Sequence, residues 1–135
     1  MSLFQWGDFT LHSGDKSWWR IDCDVLSDSE IELLAKLIHE KVGGFHSVIA
    51  PESHPGSAAP KLAEALKKYS VDWGGQSKWV ILAVDDVLST GASLEELRVD
   101  DPILEYKGAV IFARGKCADW ITPLFQMPTE DECPT

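Results

Sequence analysis

The chain reads as an α/β protein, a parallel sheet flanked by helices and preceded by an N-terminal β-hairpin. Three observations predict this. Short apolar runs at 46–50, 78–84 and 107–113 alternate with segments of helical periodicity. The last two runs are almost continuously apolar, as strands covered on both faces must be. Residues 3–22 instead alternate, carry aromatic side chains, and contain Ser13-Gly14-Asp15 as turn chemistry, which predicts a pair of antiparallel strands.

The elements follow in order. Ser27-Asp28-Ser29-Glu30 is a capping box, in which the Ser27 hydroxyl and Glu30 carboxylate serve the free amides of a first helical turn. Ile31, Leu34, Ile38 and Val42 continue at helical spacing, with Leu33 and Leu37 widening the stripe, until Gly43-Gly44 ends it. His46 to Ala50 is a short strand running into the breaker-rich loop PESHPGSAAP. The next helix has Leu62, Ala65, Leu66 and Tyr69 inward, and tolerates Pro60 because it lies in the first turn. A strand follows over 78–84, then a short helix from about Gly91 to Leu97, then a buried strand over 107–113. Right-handed crossovers are expected between parallel strands. Residues 1–135 form one domain, with 1–25 as a hood-like N-terminal segment. The polar, proline-containing tail 123–135 is expected to be loosely ordered.

Composition bounds the function. A formal net charge of −10 argues against nucleic acid and acidic membranes as partners, since binding there depends on phosphate neutralisation by Lys and Arg. No apolar run is long enough to span a membrane. Three cysteines, Cys23, Cys117 and Cys133, form no CxxC, and no basic-then-apolar signal sequence opens the chain. Free thiols and a cytoplasmic location are the expectation.

The chemistry concentrates in residues 80–93, VILAVDDVLSTGAS. In an open parallel sheet, ligands sit at the carboxyl ends of the strands, which gathers the loops 51–57, 85–93 and 114–119. Asp85 and Asp86 fall at that edge. Adjacent carboxylates there repel one another unless hydroxyls, amides or a cation compensate. Vicinal ribose hydroxyls are suitable donors, and magnesium would help. Ser89, Thr90, Gly91, Ala92 and Ser93 then supply small side chains, hydroxyls and backbone amides that can cradle a phosphate. Taken piecemeal, the same residues also suit a capped helix start behind a solvated acidic turn.

Taken together, the apolar strand followed by DDVLSTGAS resembles the PRPP-binding signature of type I phosphoribosyltransferases. The opening FQWGDFTLHSGDKSWWRID resembles orotate phosphoribosyltransferases, through Phe9-Thr10-Leu11-His12-Ser13-Gly14 and then Ser17-Trp18-Trp19. Hypoxanthine-guanine salvage enzymes carry an acid where this chain has Ser89. The resemblance runs in patches through most of the chain and is strongest at 7–22 and 80–93. It implies a shortened, Rossmann-like phosphoribosyltransferase core. The roles it implies are Asp85 and Asp86 on the ribose hydroxyls and, through PRPP, on Mg2+, and residues 89–93 on the 5′-phosphate. The loop Glu52, Ser53, His54, Pro55 and Gly56 would hold pyrophosphate, and Arg114, His12 and Trp120 would hold the base.

Departures from the family pattern qualify the activity. His12 and His54 stand where the family carries lysines, and Glu52 adds a repulsive charge beside pyrophosphate. The family's further strand and long, basic catalytic loop are replaced by residues 70–78, SVDWGGQSK. That loop excludes water and stabilises the departing pyrophosphate. Two functions therefore stay open: phosphoribosyl transfer to a nitrogenous base, or a binding module for PRPP or a nucleoside 5′-monophosphate that has lost catalysis. A hydrolase with Asp85 and Asp86 directly on a metal ranks below both, because no third ligand is evident. Trp18, Trp19 and Trp73 have core or rim packing as their ordinary role. The surface uncovered by the lost loop would suit a homodimer.

Overall fold

In the computed structural model, residues 4–10, 16–21, 26–51, 58–72, 74–75, 77–88, 92–114 and 117–127 are described, with backbone alone for 4–10, 16–21, 88, 92, 93, 114 and 127. Strands β1 (Phe4–Thr10) and β2 (Lys16–Ile21) pair antiparallel, with a register irregularity between Trp6 and Phe9. The expected turn at 13–15 lies outside the described residues.

Helix α1 (Asp28–Val42) begins as the capping box dictates. Glu30 N–H donates to Ser27 Oγ at 3.2 Å and Ser27 N–H to Glu30 Oε1 at 2.8 Å. It ends at Gly43, whose φ of 78° suits glycine. Strand β3 (Ser47–Ile49) leads to α2 (Ala58–Leu66), which a 3-10 turn extends over Lys67–Tyr69. Strand β4 (Trp79–Leu88), helix α3 (Ala92–Glu95), β5 (Leu104–Arg114) and β6 (Ile121–Met127) complete the chain.

The four strands β3-β4-β5-β6 form one parallel sheet in sequence order. One face is covered by α1 and α2, where Ile31, Ala35, Ile38, Leu62 and Leu66 pack against Leu82, Val84, Ala109 and Ile111. On the other face Leu94 of α3 packs with Ala83, Val110, Ala113 and Ile121. The alternation of Leu82, Ala83 and Val84 between the two clusters is the period-two signature of a doubly covered strand.

Several expectations are corrected. Strand β4 runs to Leu88 rather than stopping at Val84, so the acidic pair lies within the strand's last four residues instead of beyond it. Backbone pairing with β5 continues past the apolar run, through Asp85↔Val110 to Leu88↔Ala113. Helix α3 is a single turn, with Glu96 and Leu97 in a following turn. Residues 123–127 are not a loose tail but part of β6. Gly108 N–H donates to the Trp120 carbonyl at 2.8 Å. The strand's alternation then turns the Pro123 nitrogen to the open edge, where a missing N–H costs no ladder bond.

The crossovers also depart from expectation. The chain steps in the same lateral direction from β3 to β4 and from β4 to β5, but α2 and α3 lie on opposite faces. The two connections therefore have opposite hands, where right-handed crossovers were expected for both. Residues 70–78 bring the chain from the 3-10 turn straight back to β4, too short a path to add a strand outside β3 and return.

Candidate functional site

Parallel strands bring the ends of β3, β4 and β5 to one edge of the sheet. Ile49, the last residue of β3, stands beside Ala83, so the loop that follows leaves the sheet next to Asp85. Arg114 ends β5 one residue beyond Ala113, which pairs with Leu88. The acidic pair thus lies between the departures of the 51–57 and 114–119 segments, as the sequence predicts.

Each aspartate accepts a bond from the main-chain amide that follows it. Asp85 Oδ1 accepts from Asp86 N–H at 2.8 Å, and Asp86 Oδ1 accepts from Val87 N–H at 2.7 Å. Burial, then a hydrogen bond to and repulsion from the Asp86 carboxyl group, push Asp85 from its ordinary range up to about 8. The amide bond from Asp86 opposes this without reversing it. Asp85 is therefore largely protonated at neutral pH, which is how a strand end buries two adjacent acids. The chemical result is a pair of adjacent carboxyl groups hydrogen-bonded to one another at the end of the strand.

Of the other candidates, Ala92 and Ser93 open α3, immediately after the segment 89–91. Residues 89–91, the loop 52–56 and His12 lie outside the described residues, and the Arg114 side chain does too. Trp120 is described fully and is engaged within the chain. Its Nε1–H donates to Glu95 Oε1 at 2.7 Å, and the Arg98 guanidinium lies 4.6 Å from its ring centroid. Glu95 and Arg98 were not singled out from the sequence, although their i, i+3 spacing of opposite charges was the available signal.

Among the described residues no three His, Cys, Asp or Glu side chains cluster as a metal site. An open groove of about 500 Å³ runs beside β3, lined by Val48, Ala50, Pro51, Pro60, Ala63, Glu64 and Lys67. It does not include the acidic pair. No helix among the described residues is long and apolar enough to cross a membrane.

The sheet order, the helices on its two faces and the acidic pair on β4 make this a type I phosphoribosyltransferase-like fold. No family model matches the sequence, and no curated protein matches it. Solved structures do. Orotate phosphoribosyltransferase from Aeropyrum pernix matches with a TM-score of 0.67 and 24% identity, over 92% of this chain and 88% of its own. UMP synthase from Leishmania donovani matches with a TM-score of 0.66 and 18% identity over 93% of this chain. This chain spans only 34% of that protein's length. Mycobacterium tuberculosis orotate phosphoribosyltransferase, in complex with inorganic phosphate, matches with a TM-score of 0.58 and 18% identity, over 90% of this chain and 86% of its own.

Proposed function

We propose that this protein binds a 5-phosphorylated ribose at the carboxyl edge of its sheet and transfers the phosphoribosyl group from PRPP to a nitrogenous base. The observation that carries the reading is the acidic pair at the end of β4, half-buried, with Asp85 held near 8 and a small, hydroxyl-rich segment directly behind it. In this reading Asp85 and Asp86 hold the vicinal ribose hydroxyls beside C1, where the oxocarbenium-like charge develops. A base nitrogen, its proton given up to solvent, bonds to C1 as the bond to pyrophosphate breaks, and pyrophosphate leaves with the electron pair.

Ser89, Thr90, Gly91, Ala92 and Ser93 hold the 5′-phosphate. Because α3 is one turn long, amides and hydroxyls carry that task and the helix dipole adds little. The roles left for Glu52 to Gly56 and for Arg114 with His12 are the pyrophosphate and the base. Trp120 is left out of the base pocket, since both its N–H and one ring face are occupied. Magnesium would enter with PRPP, neutralising its pyrophosphate, with the hard oxygens of Asp85 and Asp86 acting on it through the ligand. A cytoplasmic location and a homodimer accompany this reading.

A second reading, ligand binding without transfer, is favoured by one observation. Only residues 70–78 join the 3-10 turn to β4, so no long basic loop is there to cover the departing pyrophosphate. Calorimetry with PRPP and magnesium tests both. Binding that Asp85→Asn/Asp86→Asn abolishes supports the site, and pyrophosphate release on adding orotate or another base separates transferase from binder. Failure to bind at millimolar ligand removes both.

A further inference from the structure

We infer that the outer edge of β3, with the groove between it and α2, is a docking surface for a second copy of this chain, the two sheets joining antiparallel through β3. This gives the homodimer a surface, and it stands whether or not PRPP binds.

Among the described residues β3 pairs only with β4, so its other side has no partner strand. His46 N–H donates to the Val80 carbonyl at 2.8 Å, on the β4 side. Alternation along the strand therefore turns the main-chain N–H and C=O groups of Ser47 and Ile49 outward. Such an edge is a template for another strand. A twofold axis at Val48 makes it self-complementary. Ser47 then exchanges both main-chain bonds with Ile49 of the second copy, and Val48 faces its own counterpart at the closer, non-hydrogen-bonded position.

The opposite edge of the sheet, on β6, is blunted. Pro123 turns a nitrogen without a hydrogen toward it, and proline on an edge strand resists pairing. Head-to-tail joining of β3 to β6 would continue into filaments, and this edge disfavours it. The closed pair through β3 remains.

The groove supplies the side chains. Val48 and Ala50 form its strand wall, and Pro60, Ala63, Glu64 and Lys67 form its helix wall. Their spacing places those four on one flank of α2 and the 3-10 turn that extends it. The flank is small at Ala63 and carries one acid and one base, with Lys67 Nζ 2.8 Å from Glu64 Oε2. In a chain of formal net charge −10, the charges of this flank balance, so a like copy meets no excess of its own sign there. The twofold also reverses the direction of α2. Glu64 of one copy therefore meets Lys67 of the other, and the reverse, which is the charge complementarity an isologous contact needs.

Sedimentation over a dilution series starting from millimolar chain should show a monomer–dimer equilibrium. Glu64→Lys and Lys67→Glu, both at exposed positions, should each raise the dimer dissociation constant about tenfold by setting like charges together. An equimolar mixture of the two variants should recover near wild-type association, as a mixed dimer. Hydrogen exchange at the Ser47 and Ile49 amides should slow as the chain is concentrated, while exchange in β6 stays unchanged. A monomer throughout the series overturns the proposal and leaves the edge to an extended segment of a different protein. A dimer indifferent to both charge reversals, a mixture that fails to recover, or Ser47 and Ile49 amides that exchange as fast in the dimer as in the monomer each overturn it too, because another surface then joins the copies.

Discussion

Lys107, on the central strand β5, donates through Nζ to the main-chain carbonyl of Val42 at 2.8 Å and to that of Gly44 at 3.2 Å. An ammonium group from the sheet thus closes the carboxyl end of α1, where carbonyls lack helical partners and the helix dipole is negative. Lys107→Met keeps the aliphatic stem and removes the charge. It should cost about 1–2 kcal/mol of unfolding free energy, measured by urea denaturation. An unchanged midpoint would mean that water serves these carbonyls equally well.

Asp85 gives stability a pH dependence of unusual sign. Its folded value, about 8, lies above the ordinary value of 3.8, so between those pH values the folded state holds more protons than the unfolded one. Its contribution is greatest at the acid end of this window and is lost as pH rises toward 8. Asp85→Asn removes that slope, and should raise stability at pH 8 by about 1 kcal/mol or more. Thermal melts of both proteins from pH 5 to 8.5 would show it, and parallel curves would refute it.

Gly108 is where a side chain does not fit. A Cβ there would stand 2.9 Å from both Trp120 Cζ3 and Ile121 Cγ1. Gly108→Ala should therefore destabilise the protein by about 1–3 kcal/mol, the usual range for overpacking, despite alanine's lower backbone entropy cost. Its effect on indole fluorescence should mirror the displacement of Trp120; a more stable variant would contradict the packing described here.

His46 is buried at the start of β3, stacked on Trp79 with ring centroids 4.9 Å apart. Its Nδ1 accepts from Val80 N–H at 2.8 Å, which places the imidazole proton on Nε2. Nitrogen-15 NMR should report the Nε2–H tautomer. His46→Phe preserves an aromatic ring but leaves the Val80 amide buried without its acceptor, at about 1–3 kcal/mol. The opposite tautomer would remove the bond and the predicted cost together.

Local signals were legible in the sequence and distant ones were not. The Ser27–Glu30 capping box placed α1 to the residue, because both partners lie within one turn. The acidic pair falls at the carboxyl end of β4, because the end of an apolar run is a local signal. Strand β6 was missed, since Pro123 reads as a breaker until its outer position on an edge strand is known. The length of β4 was missed because hydrogen bonding to β5 outlasts the apolar pattern. Lys107 and Val42, 65 residues apart, and Trp120 and Glu95, 25 apart, left no periodic trace. Trp120 was noticed as an aromatic, but the acceptor that occupies its N–H comes from another element.

The opposite hands of the two crossovers bear on how such a chain can arise and be altered. A helix–strand unit placed outside β3, followed by a return to β4 over the far face, would reverse one lateral step and give successive crossovers a common hand. The present arrangement is what remains when one strand is subtracted from a doubly wound sheet and the cut ends are joined. The seam lies at residues 70–78, and β3 still offers its outer edge. That seam is accordingly the place to graft: an inserted helix and strand there would extend the sheet past β3, leaving β4, β5 and the acidic pair where they are.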